Sequence, residues 1–169
     1  MRVKTETHKG LDRIDLKILT LLQSEGRLSM TELAERVGLS VTPCTERVRR
    51  LEREQYILGY AARLNPAKLG QSLLVYVELK LSAKSGAIFE QFRREVGKLP
   101  NVLECHLVSG DFDYLLKARI PEVSDYRRLL GDRLLALPGA VESRSYIVME
   151  EIKETFALDL DGARSGSGA

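Results

Sequence analysis

Cysteine is scarce in this sequence of 169 residues, which contains only Cys44 and Cys105. The two lie far apart and neither belongs to a Cys-x-x-Cys pair, so the sequence predicts neither a disulfide framework nor a metal site. A reducing, cytoplasmic setting is therefore expected.

Long apolar runs are also missing. No stretch approaches the roughly 18 to 20 apolar residues of a membrane span, and the opening segment MRVKTETHKG has no apolar core of a signal peptide. We therefore expect no membrane association and no export. The chain contains 44% hydrophobic and 30% charged residues, which suits a globular protein with one sizeable core or two small ones.

Net charge is small, at +2, and it lies entirely in the first third of the chain. Residues 1–60 carry eleven basic and nine acidic side chains, whereas residues 61–169 carry fifteen of each. So small an excess of positive charge is weak evidence for nucleic-acid binding. The positions of the basic residues are therefore more informative than their number. Four arginines fall within SVTPCTERVRRLER, residues 40–53.

Three short helices are predicted around that segment. Asp12 is placed to cap the first helix, which ends before Gly26. Ser29 and Glu32 have the spacing of a capping box for a second helix that stops at Gly38. Ser40 then starts a third helix, which has Pro43 in its first turn. This order is typical of a helix-turn-helix motif.

The third helix is predicted to bind DNA. Cys44, Val48 and Leu51 recur at helical spacing and should face the other two helices, which leaves the arginines on or beside the outward face. Thr42, Pro43 and Arg47 would then meet base edges, and Arg49, Arg50 and Arg53 would lie nearer phosphates. The alternative is a solvent-exposed helix whose arginines form ion pairs with the neighbouring glutamates and do not contact DNA. The predicted DNA-binding residues are Ser40, Thr42, Pro43, Glu46, Arg47, Arg49, Arg50 and Arg53.

After residue 60 the apolar period changes. The stretch 56–70 predicts an extended wing and a connector, and 72–81 alternates as a strand does. The remaining segments are a helix over 88–99, a hairpin over 102–108 and 113–120, a helix over 123–137 and a last strand over 140–150. The order βαββαβ predicts a ferredoxin-like sandwich.

Both helices of that topology lie on one side of the sheet and leave the other side uncovered. Apolar candidates for the uncovered face are Leu74, Tyr76, Leu115, Tyr146 and Val148. Because exposed apolar area of this kind usually marks an interface, we expect sheet-to-sheet dimerisation, which would also pair two helix-turn-helix units.

Four stretches carry a resemblance to a known family: LDRIDLKILTLLQ, RVGLSVTPCTERVRRLE, LVSGDFDYLLKARIP and YIVMEE. The chain resembles the Lrp/AsnC family of bacterial transcription regulators from about residue 10 to about residue 155. The resemblance implies an α+β protein with an N-terminal winged helix-turn-helix and a C-terminal ferredoxin-like βαββαβ sandwich. The implied divisions are a flexible arm over 1–10, the DNA-binding domain over 11–60, a linker over 61–71, an effector-binding and oligomerisation domain over 72–155 and a disordered tail over 156–169.

The resemblance also implies a small amino acid as effector, with leucine the first candidate, no other cofactor, and homodimers that assemble into octamers or larger. Backbone N–H groups at Gly110 can hold a carboxylate, Asp113 can hold an ammonium, and Leu107 or Val148 can line an apolar pocket. The implied effector residues are Leu107, Gly110, Asp111, Asp113, Tyr114, Ser143, Ser145 and Val148. Two simpler interpretations stay open, namely that Ser-Gly-Asp is only a hairpin turn and that the serines are plain strand hydroxyls.

The resemblance implies a sequence-specific regulator of amino-acid metabolism genes, and two other functions are possible. The first is an enzyme with Cys105 as nucleophile and His106 as base, but neighbours in a strand point to opposite faces, so we predict no catalytic residue. The second is an architectural protein that wraps double-stranded DNA of any sequence in the nucleoid.

Overall fold

The structure is a computed structural model that describes residues 10–83 and 85–160, without the side chains of residues 130 and 131. The described residues form two compact units. The first comprises residues 10–63 together with 153–160, and the second comprises residues 64–152. The predicted linker over 61–71 is thus divided between the units, and part of the predicted tail belongs to the first. Residues 1–9 and 161–169, which include most of the predicted arm and tail, lie outside the described residues.

Three helices build the first unit: α1 (Arg13–Ser24), α2 (Met30–Val37) and α3 (Val41–Arg53). The predicted caps of the first two are confirmed. Asp12 accepts hydrogen bonds from two backbone N–H groups of α1, and Ser29 and Glu32 close a reciprocal capping box on α2. Gly38 ends α2 with φ of 79°, a left-handed conformation that glycine adopts without steric cost.

The core of the first unit lies between these helices. Ile18, Leu33, Cys44 and Leu51 are completely or almost completely buried there. Two further segments of this unit are attached to the helices by polar contacts. Tyr60 donates a hydrogen bond to Glu52 at 3.0 Å. The C-terminal segment of this unit, residues 153–160, has no regular secondary structure, and we call it the strap.

The strap is attached to α1 by one side-chain amide. Gln23 donates from Nε2 to the carbonyl oxygen of Leu158 at 2.9 Å and accepts from the N–H of Leu158 at 3.0 Å. An ion pair between Arg63 and Glu154, at 3.6 Å, adds a second point of contact. The strap is therefore held by hydrogen bonding and charge rather than by apolar packing, since Phe156 and Leu158 remain exposed.

The second unit is a four-stranded antiparallel sheet with helices. Its elements are β1 (Leu73–Leu81), α4 (Gly86–Val96), β2 (Val102–Leu107), β3 (Tyr114–Ile120), α5 (Val123–Arg127) and β4 (Ala140–Ile147). The strand order β2-β3-β1-β4 is that of the predicted ferredoxin-like fold, which is confirmed. A short 3-10 helix, Ala67–Leu69, precedes β1.

The sheet buries alternate residues of its two central strands. Val75, Val77 and Leu79 of β1 and Leu116 of β3 have no measurable exposure, and they pack with Phe92 of α4. The periodicity of both the strands and α4 predicts this arrangement, because residues two apart in a strand share a face.

The helix predicted over 123–137 is present over residues 123–134, but most of it is not α-helical. After α5 the chain continues in π-helical turns from Arg128 to Leu134. Leu129 and Leu134 are both buried, and an α-helix would set residues five apart about 140° away from each other. Turns closed by i→i+5 hydrogen bonds bring them to one side. The segment 56–70 contains no strand, so the predicted wing is present only as irregular chain with the 3-10 turn.

The face of the sheet opposite the helices is mixed in character. The register places Tyr76 beside Tyr146 on this face, as predicted. Ion pairs lie among these apolar groups: Glu104 approaches Lys117 Nζ at 3.2 Å and Arg119 approaches Glu151 at 2.6 Å. This face therefore carries charges that reasoning from the sequence did not identify, and any partner surface would have to match those charges as well as its apolar groups.

Candidate DNA-reading helix and effector site

The DNA-reading candidate is α3, which begins after Ser40 and has one buried and one exposed face. Cys44, Val48 and Leu51 are buried as predicted. Ser40 has the extended backbone of an N-cap residue, but its hydroxyl makes no capping hydrogen bond. The first turn therefore presents an exposed serine hydroxyl at the entrance to the helix.

The exposed face follows from a rotation of about 100° per residue. Thr42, Glu46, Arg49 and Arg53 lie on it and are exposed, whereas Pro43 lies at its edge and is half-buried. A threonine, a glutamate and two arginines can accept and donate hydrogen bonds to base edges and phosphates. This face has the groups that a recognition helix needs.

The other two arginines, Arg47 and Arg50, lie beside that face and are only partly exposed, so the four arginines do not form one fully exposed stripe. Arg47 Nη1 donates to Asp12 at 2.6 Å and to Asp15 at 2.8 Å, and Arg50 Nη2 donates to Asp15 at 2.5 Å. We call these four side chains the charge cluster. The cluster joins the beginning of α1 to the flank of α3, so its arginines hold the fold together.

Asp15 is the centre of the charge cluster, since its side chain is only 1% exposed. Arg47 and Arg50 keep 29% and 33% of their side-chain exposure. Burial alone would raise the pKa of Asp12, but hydrogen bonds from the backbone of Asp15 and from Arg47 lower it below its ordinary value. The hydrogen bonds to Asp12 and Asp15 raise the pKa of Arg47 in turn.

The charge cluster was missed by reasoning from the sequence, although a signal was present. Asp12 and Asp15 have the three-residue spacing of a capping box, in which Asp15 Oδ2 accepts from the backbone N–H of Asp12 at 3.0 Å. A buried carboxylate in such a box requires a cationic partner, because an unpaired buried charge is strongly destabilising. The only missing information was which arginines reach it.

Neither cysteine is suited to nucleophilic chemistry. Burial raises the pKa of Cys44, and it raises the pKa of Cys105 to about 11. His106 lies 3.3 Å from Glu104 on the face of β2 opposite that of Cys105, which packs against the core. In the described part of the chain, no group of three or more acidic, histidine or cysteine side chains is arranged to hold a metal ion.

The effector candidates begin at the turn between β2 and β3. Gly110 has φ of 140°, which favours glycine, and it is exposed together with Asp111. Asp113 is different, since it is 4% exposed and its Oδ2 accepts from the backbone N–H of Leu81 at 2.8 Å. Asp113 therefore ties the turn to the end of β1, a role that its sequence position did not reveal.

Tyr114 and Leu107 stand opposite each other in the β2–β3 ladder. Tyr114 is buried and its ring stacks on Phe92 with centroids 4.1 Å apart, so its aromatic surface belongs to the core. Leu107 is 57% exposed. Of the two, only Leu107 presents apolar area that an effector could cover.

The β4 candidates are spread along the sheet. Ser143 pairs with Leu79, which also pairs with Tyr114, so Ser143 lies at the same end as the turn. Ser145 lies further along, and its buried Oγ has no hydrogen-bond partner among the residues that the structure describes. Val148 bonds to Leu74, five residues from Leu79 and about 17 Å away along the strand. A single chain thus gathers the turn and Ser143 but not Val148.

A cavity of about 420 Å³ lies elsewhere in the second unit. Its lining includes Leu64, Leu69, Leu103 and Arg119, and none of the predicted effector residues contributes to it.

In the described ranges, no helix is long and apolar enough to cross a bilayer.

Comparison with known proteins links both units to one family. Residues 11–57 match a family model described as winged helix-turn-helix DNA-binding, and residues 74–158 match one described as the Lrp/AsnC ligand binding domain. The leucine-responsive regulatory proteins of Salmonella typhimurium and Escherichia coli are each 58% identical to this chain over 155 residues, which cover 92% of this chain and 94% of each relative.

Solved structures agree with the sequence comparison. A transcriptional regulator of Neisseria meningitidis, solved as a complex with L-Met, is 37% identical with a TM-score of 0.86, covering 90% of this chain and 99% of its own. An AsnC family transcriptional regulator of Agrobacterium tumefaciens is 35% identical with a TM-score of 0.85 and the same coverage of both chains.

Proposed function

Because the chain belongs to the Lrp/AsnC family of transcription regulators, we propose that it binds double-stranded DNA through α3 and adjusts that binding to a small amino acid. Its genes are those of amino-acid metabolism, and leucine is the first effector to test, because the relatives described above are leucine-responsive. The relatives are transcription regulators, and the chain is not an enzyme. The protein works in the cytoplasm, on the nucleoid.

The observation that carries DNA binding is the exposed face of α3. Its first three turns offer Thr42, Glu46 and Arg49, with the uncapped hydroxyl of Ser40 beside them. In helix-turn-helix proteins the start of the recognition helix enters the major groove. We assign base reading to Arg49 rather than to Arg47, because Arg49 is exposed whereas Arg47 is held by Asp12 and Asp15. Phosphate contact is assigned to Arg53 at the end of the helix.

The test compares two arginines that differ only in their place on this face. Arg49→Ala should cost about 1 to 3 kcal/mol on the preferred sequence and relax the preference at one base step. Arg53→Ala should weaken binding to all sequences alike and lower the salt dependence. Equal losses on preferred and random DNA for Arg49→Ala would contradict the assignment. Loss of preference only with Arg47→Ala would return base reading to Arg47.

Specificity itself is tested by competition with random DNA. A sequence-specific regulator should prefer its selected site by about 10³ or more at physiological salt, whereas an architectural protein should show little preference. One titration therefore distinguishes an architectural protein from the proposed sequence-specific regulator.

The effector proposal rests on the turn end of the sheet. Gly110 and Asp111 are exposed there, Leu107 offers apolar area nearby, and Ser143 lies at the same end. These groups suit the carboxylate, ammonium and side chain of an amino acid. The resemblance also implies Val148, which lies far from these groups within one chain, and we propose that a second subunit supplies the rest of the site in a homo-oligomer built from dimers.

A thermal-shift screen with the twenty amino acids tests this proposal. A ligand that binds only the folded state raises the melting temperature, by an amount that grows with its concentration relative to Kd. We expect leucine and methionine to give the largest shifts, methionine because the neisserial neighbour was solved with it. Equal or absent shifts across all twenty would contradict an amino-acid effector.

A further inference from the structure

The charge cluster has a consequence for DNA recognition, which rests on DNA binding by α3 as proposed above. We propose that Asp15, assisted by Asp12, masks Arg47 and Arg50 from DNA phosphates and thereby widens the gap between specific and random DNA affinity. Asp15 is in this sense a positioning residue that determines specificity without touching DNA.

Asp15 binds both arginines at once. Each carboxylate oxygen is engaged by a different guanidinium, Oδ1 by Arg47 at 2.8 Å and Oδ2 by Arg50 at 2.5 Å. With 1% side-chain exposure, Asp15 has no access to solvent or to DNA. Oδ2 also accepts from the backbone N–H of Asp12 at 3.0 Å, so the carboxylate of Asp15 holds the two arginines against the beginning of α1.

Arg47 and Arg50 lie beside the exposed face of α3. Arg50 follows Glu46 by one turn, and Arg47 follows Pro43 by one turn, so both stand on the flank of the exposed face. About a third of each side chain is still exposed. If released, two long and flexible cations would lie where the phosphates beside the major groove are expected to pass.

The Arg50 side chain is held in place mainly by Asp15. Its Nε is buried and has no hydrogen-bond partner among the described residues. The side chain is thus retained by the charge of Asp15 and not by a complete set of hydrogen bonds. Neutralising Asp15 should remove that attraction and free the guanidinium for other anions.

The charge of the DNA-facing surface then depends on the cluster. The exposed face itself has two cations, Arg49 and Arg53, and one anion, Glu46. With the cluster closed, the two further arginines are neutralised by two aspartates. Phosphate contacts make up most of random binding and carry no sequence information, so masking two arginines lowers random affinity more than specific affinity.

The experiment measures DNA affinity across salt for three full-length variants in which a carboxylate becomes an amide. Asp15→Asn removes the central charge. Asp12→Asn removes one partner of Arg47 but keeps the cap of α1, since asparagine caps helices well. Glu25→Gln is the matched control, because it frees Arg36 from a pair at 2.8 Å that lies between α1 and α2. Two short duplexes are used, one selected from a random pool and one with the same bases scrambled.

We expect Asp15→Asn to tighten binding to the scrambled duplex and to narrow the ratio between the two duplexes. Each added phosphate contact raises the salt slope by about 0.9, so lowering the salt from about 200 to about 50 mM should give an extra gain of about 3.5-fold for one arginine and about 12-fold for two. Asp12→Asn should give a smaller gain in the same direction, and Glu25→Gln none. Adding Arg50→Gln to Asp15→Asn should remove part of the gain.

A purely structural role predicts the opposite result, in which both neutral variants bind the two duplexes equally or more weakly with an unchanged slope. That outcome overturns the proposal. If Asp15→Asn loses its helical circular dichroism and so does not fold, the DNA affinity and salt slope of Asp12→Asn decide between the two roles. An equal rise in slope with Glu25→Gln also overturns it, since any freed arginine would then suffice. If the wild-type chain shows no preference for its selected duplex, the proposed function fails first and the masking proposal fails with it.

Discussion

Gly139, which precedes β4, occupies a position that should tolerate no side chain. Its φ is 79°, and a Cβ added there would lie 2.8 Å from Cγ2 of Ile88. The carbonyl oxygen of Gly139 accepts from the N–H of Ser82 at 2.8 Å, which holds the end of β1 beside the last strand. We predict that Gly139→Ala destabilises the second unit more than the same change at any other glycine with positive φ would.

Two separate costs set the size of the effect. A left-handed backbone costs a residue with a Cβ about 1 to 2 kcal/mol. Forcing a methyl group into a packed site costs about 1 to 3 kcal/mol more, because Ile88 has to leave its position. Together these give about 2 to 5 kcal/mol for Gly139→Ala, a large part of the stability of a small domain.

Gly70→Ala is the matched control in the same unit. Its φ is 68°, but no atom lies within 4 Å of the point that an added methyl group would occupy, so only the backbone cost of about 1 to 2 kcal/mol applies. Ile88→Ala removes Cγ2, and in that background Gly139→Ala should cost no more than Gly70→Ala does. The two changes together form a double-mutant cycle that isolates the steric contact.

Urea unfolding followed by far-UV circular dichroism gives the free energies, and hydrogen exchange of the β1 and β4 amides assigns the loss to the second unit. The reasoning is refuted if Gly139→Ala and Gly70→Ala are equally destabilising, or if Ile88→Ala leaves the cost of Gly139→Ala unchanged.

Three further predictions concern single polar groups. Ser145→Ala should raise stability in urea by about 1 kcal/mol, because a buried hydroxyl without a partner is removed; a loss of stability would show that the hydroxyl is bonded. Asp113→Asn should keep the N–H of Leu81 bonded and remain stable, whereas Asp113→Ala should lose about 1 to 3 kcal/mol; equal unfolding midpoints would contradict this. Because the pKa of Asp12 is lowered on folding, its contribution should be complete above about pH 4 and should vanish as the pH falls through the lowered value; acid titration of Asp12→Asn should lack that step.

The parts of the fold that depend on neighbouring residues were predictable. Ser29 and Glu32 cap α2 within one turn, and the spacing of Phe92 and Val96 places α4 on the sheet. Such signals are local, so one sequence is enough to read them. The family motifs added the order of the two units.

The parts that failed depend on contacts between distant residues. Nothing in the local sequence distinguishes Arg47 and Arg50 from Arg49, yet Arg47 and Arg50 pair with Asp15, which lies 32 and 35 residues earlier. The role of Asp113 likewise depends on a backbone N–H of β1, 32 residues away. Helical periodicity tells which way a side chain points but not which charge it meets, and for that reason the site residues were harder to predict than the fold.

The attachment of the strap to α1 has a consequence for the order of synthesis. Gln23 and Leu158 are 135 residues apart, so the first unit is interrupted by the whole of the second. At about 5 to 20 residues per second, Leu158 is made about 7 to 27 s after Gln23. The three helices can therefore fold on the ribosome long before the strap exists. The last event in building the DNA-binding unit is the docking of a segment that follows the complete effector unit, so a nascent chain cut short anywhere in β4 would release helices without their strap.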